Sequence, residues 1–186
     1  MNLRVQSAHE SSHQLGFTIA EMMIIVAILA FVAAFALPNM SEWTANFRLN
    51  SAVRDLVANL QYAKMEAARK NLNCTITFKQ PIGLETYDCV VYLDSDKDLE
   101  YDATEQLLKT IELSSYKGVE FDTSRGTNSG VDFVDNDEGY PSIAFSWRGL
   151  PLDNAGATGA GSIYIKNILN KKKTIQVGAA GSISVQ

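Results

Sequence analysis

The sequence predicts an α+β fold: one long N-terminal helix packed on a domain of about nine short antiparallel strands. Three observations carry this expectation. Residues 17–37 form an apolar run broken by one charged side chain, Glu21. Beyond Pro38, apolar residues recur at spacings of mainly three and four, the helical period, as far as Ala67. After Asn73 the period drops to two, and short apolar runs alternate with Gly, Asp, Asn and Ser.

The chain's 186 residues suffice for one domain with its own core plus an appended segment. At 46% hydrophobic and 20% charged, the composition is that of a folded protein rather than a disordered one.

The run from Phe17 to Leu37 covers 21 residues, or roughly 30 Å as a helix, the thickness of a bilayer's hydrocarbon core. It is expected to be a transmembrane segment. A secretory signal peptide is the competing reading, because Ala34-Phe35-Ala36 has the small-x-small form of a cleavage site. Pro38 two residues beyond, the length of the run, the interruption at Glu21 and the lone Arg4 ahead of it all argue against that reading.

Pro38 is expected to kink the helix rather than end it, since an amphipathic pattern resumes at once. Its apolar stripe reads Trp43, Phe47, Val53, Leu56, Val57, Leu60, Ala63 and Ala67. Glu66 and Lys70 suit an i,i+4 pair, Arg69 and Lys70 suit a C-terminal turn, and Asn71 and Asn73 mark the end. The stripe predicts a helix that needs an apolar partner, and the strands supply it. Those strands are read at residues 74–78, 87–93, 107–113, 119–121, 131–133, 143–147, 163–165, 175–177 and 183–185.

Charge is unevenly distributed along this second part. Residues 85–138 hold 15 acids and 4 bases, whereas residues 139–186 hold one acid and five bases. A cation site is therefore sought in the first block and a phosphate-binding surface in the second.

In the first block, Asp94, Asp96, Asp98, Asp102 and Glu105 match positions 1, 3, 5, 9 and 12 of the calcium loop D-x-D-x-D-G-x5-E. Leu99 stands where Gly is wanted for a positive φ, at a steric cost. With strands rather than helices flanking it, this would be a calcium loop outside the EF-hand fold; a solvated acidic connection is the other reading. Asp132, Asp135, Asp137 and Glu138 form a further acidic loop, with no sign of the buried, opposed pair that glycosidase chemistry needs.

The two cysteines, Cys74 and Cys89, are expected to bridge in an oxidising compartment. Their numbers centre a hairpin turn between Pro81 and Ile82, beside the breakers Pro81 and Gly83, which would set them opposite each other on adjacent strands. Two buried free thiols are the other outcome. The two histidines, His9 and His13, precede Gly16. A chain cut there has no histidine, which excludes Ser-His-Asp and Cys-His catalysis and histidine-ligated zinc. No enzyme activity is expected, and calcium is the one candidate cofactor that these residues offer.

Gly16-Phe17-Thr18-Ile19-Ala20-Glu21, followed by the apolar run and Pro38, resembles the N-terminus of type IV prepilins and type II secretion pseudopilins. That motif places Gly before the cut, an apolar first mature residue and Glu at mature position five. The stretch Leu49 to Ala67 is similar to the second half-helix of the GspH/FimT family of minor pilins and pseudopilins, and Ile143 to Pro151 to its late strand and Gly turn. The leader departs from the usual pattern in having its one firm positive charge, Arg4, far from the cut.

The resemblance implies a pilin-like fold with a leader at residues 1–16, a transmembrane and fibre-core helix at 17–37, an amphipathic half-helix at 38–73 and a β-rich periplasmic domain at 74–186. It implies a prepilin peptidase that cuts between Gly16 and Phe17 and methylates the new Phe17 amine. It further implies a single-pass subunit of the bacterial inner membrane. Such a subunit meets the lipid first, then an inner-membrane assembly platform and other pilins, and enters a type IV pilus or type II secretion pseudopilus, near its tip. Pro38 falls where pilins kink the helix for assembly.

Glu21 then has a task. A carboxylate in a bilayer costs on the order of 3 kcal/mol unless paired. Cleavage creates an amine on Phe17 in the same layer, and in a staggered bundle one subunit's amine can meet another's carboxylate. The alternative function is DNA capture, which some minor pilins of this family perform through basic residues near the C-terminus. Lys171, Lys172 and Lys173 are the candidates here, but Gly181-Ser-Ile-Ser184 lacks arginine where such an ending would carry it. Nucleic acid is not the expected partner.

Overall fold

A computed structural model describes residues 16–186, with the backbone alone at residues 36–39. The leader expectation therefore lies outside the described residues except at Gly16. Helix α1 runs from Ile19 to Lys70, so Pro38 does not end it. Its residues fall into two compact units, divided after Met40.

In the first unit every residue from Gly16 to Phe35 is exposed, apolar side chains included; Ile19 is 83% exposed and Phe31 69%. Nothing in this unit buries them. Among the described residues no single helix is long and apolar enough to cross a membrane, although the pieces Ile19–Phe35 and Met40–Lys70 together have the length and composition to do so.

In the second unit, Ser41–Gln186, the rest of α1 buries one stripe: Ala45, Leu49, Ala52, Val53, Leu56, Leu60, Ala63 and Ala67. These follow the predicted period, but the expected start of the stripe is corrected. Trp43 is 67% exposed and Phe47 54%, and the two rings stack on each other at 5.7 Å. Ala45 and Leu49 are the buried residues of that turn instead. The C-terminal turn carries a second correction: Glu66 pairs with Arg69 at 2.5 Å rather than with Lys70. The helix stops as expected at Asn71, whose φ of 54° forms the left-handed cap while the Leu72 N–H bonds the Ala67 carbonyl at 3.3 Å.

The strands are β1 (Asn73–Phe78), β2 (Pro81–Ile82), β3 (Glu85–Thr86), β4 (Cys89–Asp94), β5 (Gln106–Ile111), β6 (Val119–Phe121), β7 (Ser142–Phe145), β8 (Pro151–Leu152), β9 (Gly161–Asn167), β10 (Lys172–Val177) and β11 (Ile183–Val185). They pair antiparallel in sheets of order β5-β4-β1-β7-β8 and β11-β10-β9-β6, with β2 and β3 as a small hairpin. Of the nine expected strands, residues 131–133 make only an isolated bridge from Val131 to Ile163. The core forms where both large sheets meet the α1 stripe: Ile76, Phe78, Val91, Ile143, Phe145, Ile163, Ile165 and Ile175 join Leu56 and Leu60.

Strands β1 and β4 are buried on both faces. Their core-facing residues meet α1, and the alternate residues Thr75, Thr77 and Tyr92 lie beneath the loops that follow β4 and precede β7. Thr77 Oγ1 lies 3.0 Å from the Tyr92 hydroxyl and accepts from Ser142 Oγ at 3.0 Å. Thr75 Oγ1 donates to Asp94 Oδ2 at 2.9 Å. Polar residues that alternation assigns to solvent are thus internally bonded, which is how such groups tolerate burial.

Register decides the cysteines. Cys74 pairs with Leu93 and Cys89 with Phe78, so the two share a core-facing side but stand four residues apart along the strands. That is roughly 13 Å, about twice the span of a disulfide. Both are free and buried. The expected bridge is corrected because the turn centres on Gly83 and Leu84, not on Pro81 and Ile82. Gly83 supplies the positive φ of 65°, and Pro81 sits in a short strand where its missing N–H is tolerated. Moving a turn centre by two residues moves the pairing by four.

Candidate functional site

The first candidate site is the start of α1. Thr18 precedes the first helical residue, Ile19, and Glu21 lies in the first turn. Glu21 Oε2 accepts from both the Thr18 N–H and the Thr18 hydroxyl at 2.9 Å, and the Glu21 N–H donates to Thr18 Oγ1 at 3.2 Å. This is a capping box: each side chain satisfies the other's otherwise unpaired backbone N–H. The carboxylate also sits at the positive end of the helix dipole. Expecting a partner only from another subunit overlooked this local one, although Thr-x-x-Glu at a helix start is itself a readable signal.

Gly16 and Phe17 lie just ahead of this cap, outside the helix. Phe17 is 74% exposed, and no atom stands within 4 Å of where a Gly16 Cβ would be. Both residues are thus exposed, and no other part of the described chain packs on them.

The acidic loop after β4 gathers three of its five expected ligands. Carboxylate oxygens of Asp94, Asp96 and Asp98 lie within 4.8 Å of one another, while Asp102 and Glu105 are outside that group. Leu99 does adopt the positive φ, 62°. Its cost is offset by burial of the side chain and by a bond from Asn136 Nδ2 to its carbonyl at 2.9 Å. Asp94 Oδ1 accepts from the Lys97 N–H at 2.6 Å, and Glu105 Oε1 from the Ser95 N–H at 2.9 Å. The loop is thus closed by its own carboxylates. Burial pushes the carboxyl groups of Asp94 and Asp98 above their ordinary range; burial, with the charges of Asp94 and Asp96, pushes Glu105 up to about 7.

The second acidic loop has no opposed catalytic pair among its described contacts. Asp132, Asp135, Asp137 and Glu138 accept bonds from Thr127, Asn128, Asn154 and Gln80 respectively. These contacts tie loops together.

The lysine cluster separates into distinct roles. Lys172, the first residue of β10, places Nζ 2.8 Å from Oδ2 of the buried Asp122. That contact, with a bond from Ser124, holds the Asp122 carboxyl down to about 2. Sequence spacing could not reveal this partner, fifty positions away. Lys171 is exposed and Lys173 half-buried, and both line a small cavity of about 240 Å³ with Asn46, Leu49 and Asn50 of α1. The thiols complete the inventory: burial, aided by Glu66 and Asp94, pushes Cys74 up to about 12, and burial also raises Cys89, so neither is a ready nucleophile.

An exposed apolar N-terminal helix with a carboxylate in its first turn, continuing into an α+β domain, defines a pilin-like protein. Residues 52–181 match the family described as type II transport protein GspH, and residues 11–37 match the prokaryotic N-terminal methylation motif. The chain belongs to the GspH family. Two fimbrial proteins of Pseudomonas aeruginosa are each 42% identical over 45 residues, which cover 24% of this chain and 29% of theirs. The match thus spans under a third of those proteins' own length. No solved structure matches.

Proposed function

We propose that this chain is a minor pilin or pseudopilin subunit, cut between Gly16 and Phe17 by a prepilin peptidase that then methylates the Phe17 amine. The apolar stretch 17–37 anchors it in the bacterial inner membrane with the β-rich domain in the periplasm. From there an assembly platform passes it, with other pilins, into a type IV pilus or type II secretion pseudopilus, near the tip. The fimbrial relatives support the pilus, and the GspH family supports the secretion machinery.

One observation carries this reading. The helix from Ile19 to Phe35 exposes apolar side chains on every face, and its lone carboxylate is held at its first turn beside an open Gly16–Phe17 peptide. A helix apolar all round belongs in lipid or in a helical bundle. The capping box presents the Glu21 carboxylate within a few residues of the new N-terminus, where a neighbouring subunit's amine can pair with it. Subunits with an unpaired carboxylate in an apolar fibre core would be rejected, so the pair also selects register. The chain does no chemistry on itself: the peptidase supplies cleavage and methyl transfer.

Mass spectrometry of the membrane-extracted chain, together with its recovery in sheared fibres, tests the reading. The expected mature chain begins at an N-methylated Phe17, and Gly16→Leu leaves the chain uncut and absent from fibres. An uncut wild-type chain in purified fibres would overturn it.

A further inference from the structure

The end of the second unit at which its part of α1 begins carries features that assembly through the apolar helix does not use. Two turns converge there. In the β9–β10 turn, Ile168 and Leu169 are 72% and 52% exposed. This turn is tied to α1 by a bond from Asn167 Nδ2 to Asn46 Oδ1 at 3.2 Å. In the turn before β6, the Lys117 carbonyl accepts from Arg48 Nη1 of α1 at 3.4 Å. The Ile168 side chain packs over Gly118, whose φ is 81° and where any Cβ would collide with it. Glycine here lets the two turns meet, and the meeting props Ile168 and Leu169 outward.

Charge at this end is mostly basic; the nearby Glu120 is paired with Lys166 at 3.3 Å. Lys117 and Lys171 are exposed, and Lys173 and Arg48 are half-buried around the same turns. Glu42 is the one acid among residues 41–50, and residues 116–118 and 167–173 contain none. Lys172 is engaged by the buried Asp122 at 2.8 Å. At the same level of α1 the stacked rings of Trp43 and Phe47 stand exposed. Trp43 follows the apolar run's last residue, Leu37, by only six positions.

Apolar tips at a turn, an exposed tryptophan and basic side chains around them are the combination that settles at a membrane–water interface. Aromatic rings sit at headgroup level, aliphatic tips dip below it, and lysines meet anionic phosphates. We infer that this end of the globular unit docks on the anionic lipid surface while the subunit waits in the membrane, with Ile168 and Leu169 entering the headgroup layer and Lys117, Lys171 and Lys173 contacting lipid phosphates. The docking face rests on the anchoring proposed above. It holds the unassembled domain against the bilayer and is released when the subunit enters a fibre.

The test uses the full chain with one added cysteine, Leu169→Cys, or Leu150→Cys as control, each labelled with an environment-sensitive fluorophore. Leu150 is 44% exposed and lies near the other end of this part of α1, next to Gly149, which packs on Lys64. The native Cys74 and Cys89 are buried and stay unlabelled in the folded chain. Labelled protein is reconstituted into vesicles of phosphatidylcholine with or without phosphatidylglycerol and recovered by flotation.

In phosphatidylglycerol vesicles the label at 169 is expected to blue-shift and to be quenched by shallow lipid-borne quenchers, with no such change at 150. Lys171→Gln/Lys173→Gln should reduce the ratio of docked to undocked domain on the order of 30-fold at low salt, and high salt should do the same to the unaltered chain. A chain that floats while its label at 169 stays aqueous overturns the docking face alone. A chain that does not float overturns the anchoring and the docking face together. A blue shift at 169 that needs no lipid and grows with protein concentration, or that follows duplex DNA instead of vesicles, overturns it in favour of a subunit or nucleic-acid contact.

Discussion

Thr18 and Glu21 close a reciprocal cap at the start of α1, with the carboxylate accepting from the Thr18 N–H and hydroxyl at 2.9 Å each. Glu21 therefore has a partner within its own chain before any neighbour arrives. Its one free role is electrostatic, which separates the cap from the intersubunit pair experimentally.

Glu21→Gln keeps an oxygen acceptor and the side-chain length but removes the charge. It is expected to retain slow exchange of the bonded amides at positions 21 and 22 in detergent and to lose fibre incorporation. Thr18→Ala should do the opposite in part, loosening the first turn by about 1 kcal/mol while leaving the charge in place. Wild-type incorporation of Glu21→Gln would remove the amine-pairing role.

The separation of Cys74 and Cys89 by four residues predicts a thermal transition indifferent to reductant. Loss of a bridge closing this loop would cost about 3 kcal/mol and lower Tm by on the order of 10 °C. A thiol reagent should find no reactive group in the folded domain and two after unfolding.

Glu105 gives the domain a pH response. Its carboxyl is raised to about 7 in the folded chain, from an ordinary value of 4.5. Between those values the unfolded chain releases this proton first, so stability is greatest below the window and falls as pH rises through it. Asp94 and Asp98 shift in the same direction. In chelator-containing buffer, Tm should drop from about pH 5 to about pH 7.5, and Glu105→Gln should flatten the drop. A Tm that rises across this range would contradict the buried state of the carboxylate.

Lys172 and its neighbour should differ sharply in chemical denaturation. Lys172→Met removes the nearer of two cations from the buried Asp122 carboxylate, leaving Lys166 at 3.9 Å, and should cost about 1–2 kcal/mol. Lys171→Gln, at an exposed position, should stay within about 0.5 kcal/mol. Asp122 also contributes in the acid range: its depressed value means stability held above its ordinary 3.8 and lost as pH falls toward about 2.

The elements that could be read from sequence are those whose signals are local. The period of three and four marked α1, Asn71 marked its stop, and Gly-Phe-Thr-Ile-Ala-Glu marked the N-terminal methylation motif. The same local reading failed at Trp43 and Phe47, because apolar spacing identifies a stripe but not which turn of a helix meets a partner. It also assigned strand character to residues 131–133, where alternation holds but only Val131 finds a bridge. The acidic loop was recognisable in its spacing and in the positive φ demanded at Leu99, while the grouping of Asp94, Asp96 and Asp98 without Asp102 and Glu105 depends on how the loop folds back.

Composition and period thus settled the apolar N-terminal helix, the amphipathic continuation and the β-rich remainder, and resemblance to prepilin N-termini picked out the Gly16–Glu21 motif, because each depends on residues within a few positions of one another. Tertiary structure decided the cysteine register, the Asp122–Lys172 pair, the burial of Thr75 and Thr77, and the meeting of Ile168 with Gly118. Those contacts join residues far apart in the chain, and a turn displaced by two positions is enough to exchange one set of partners for another.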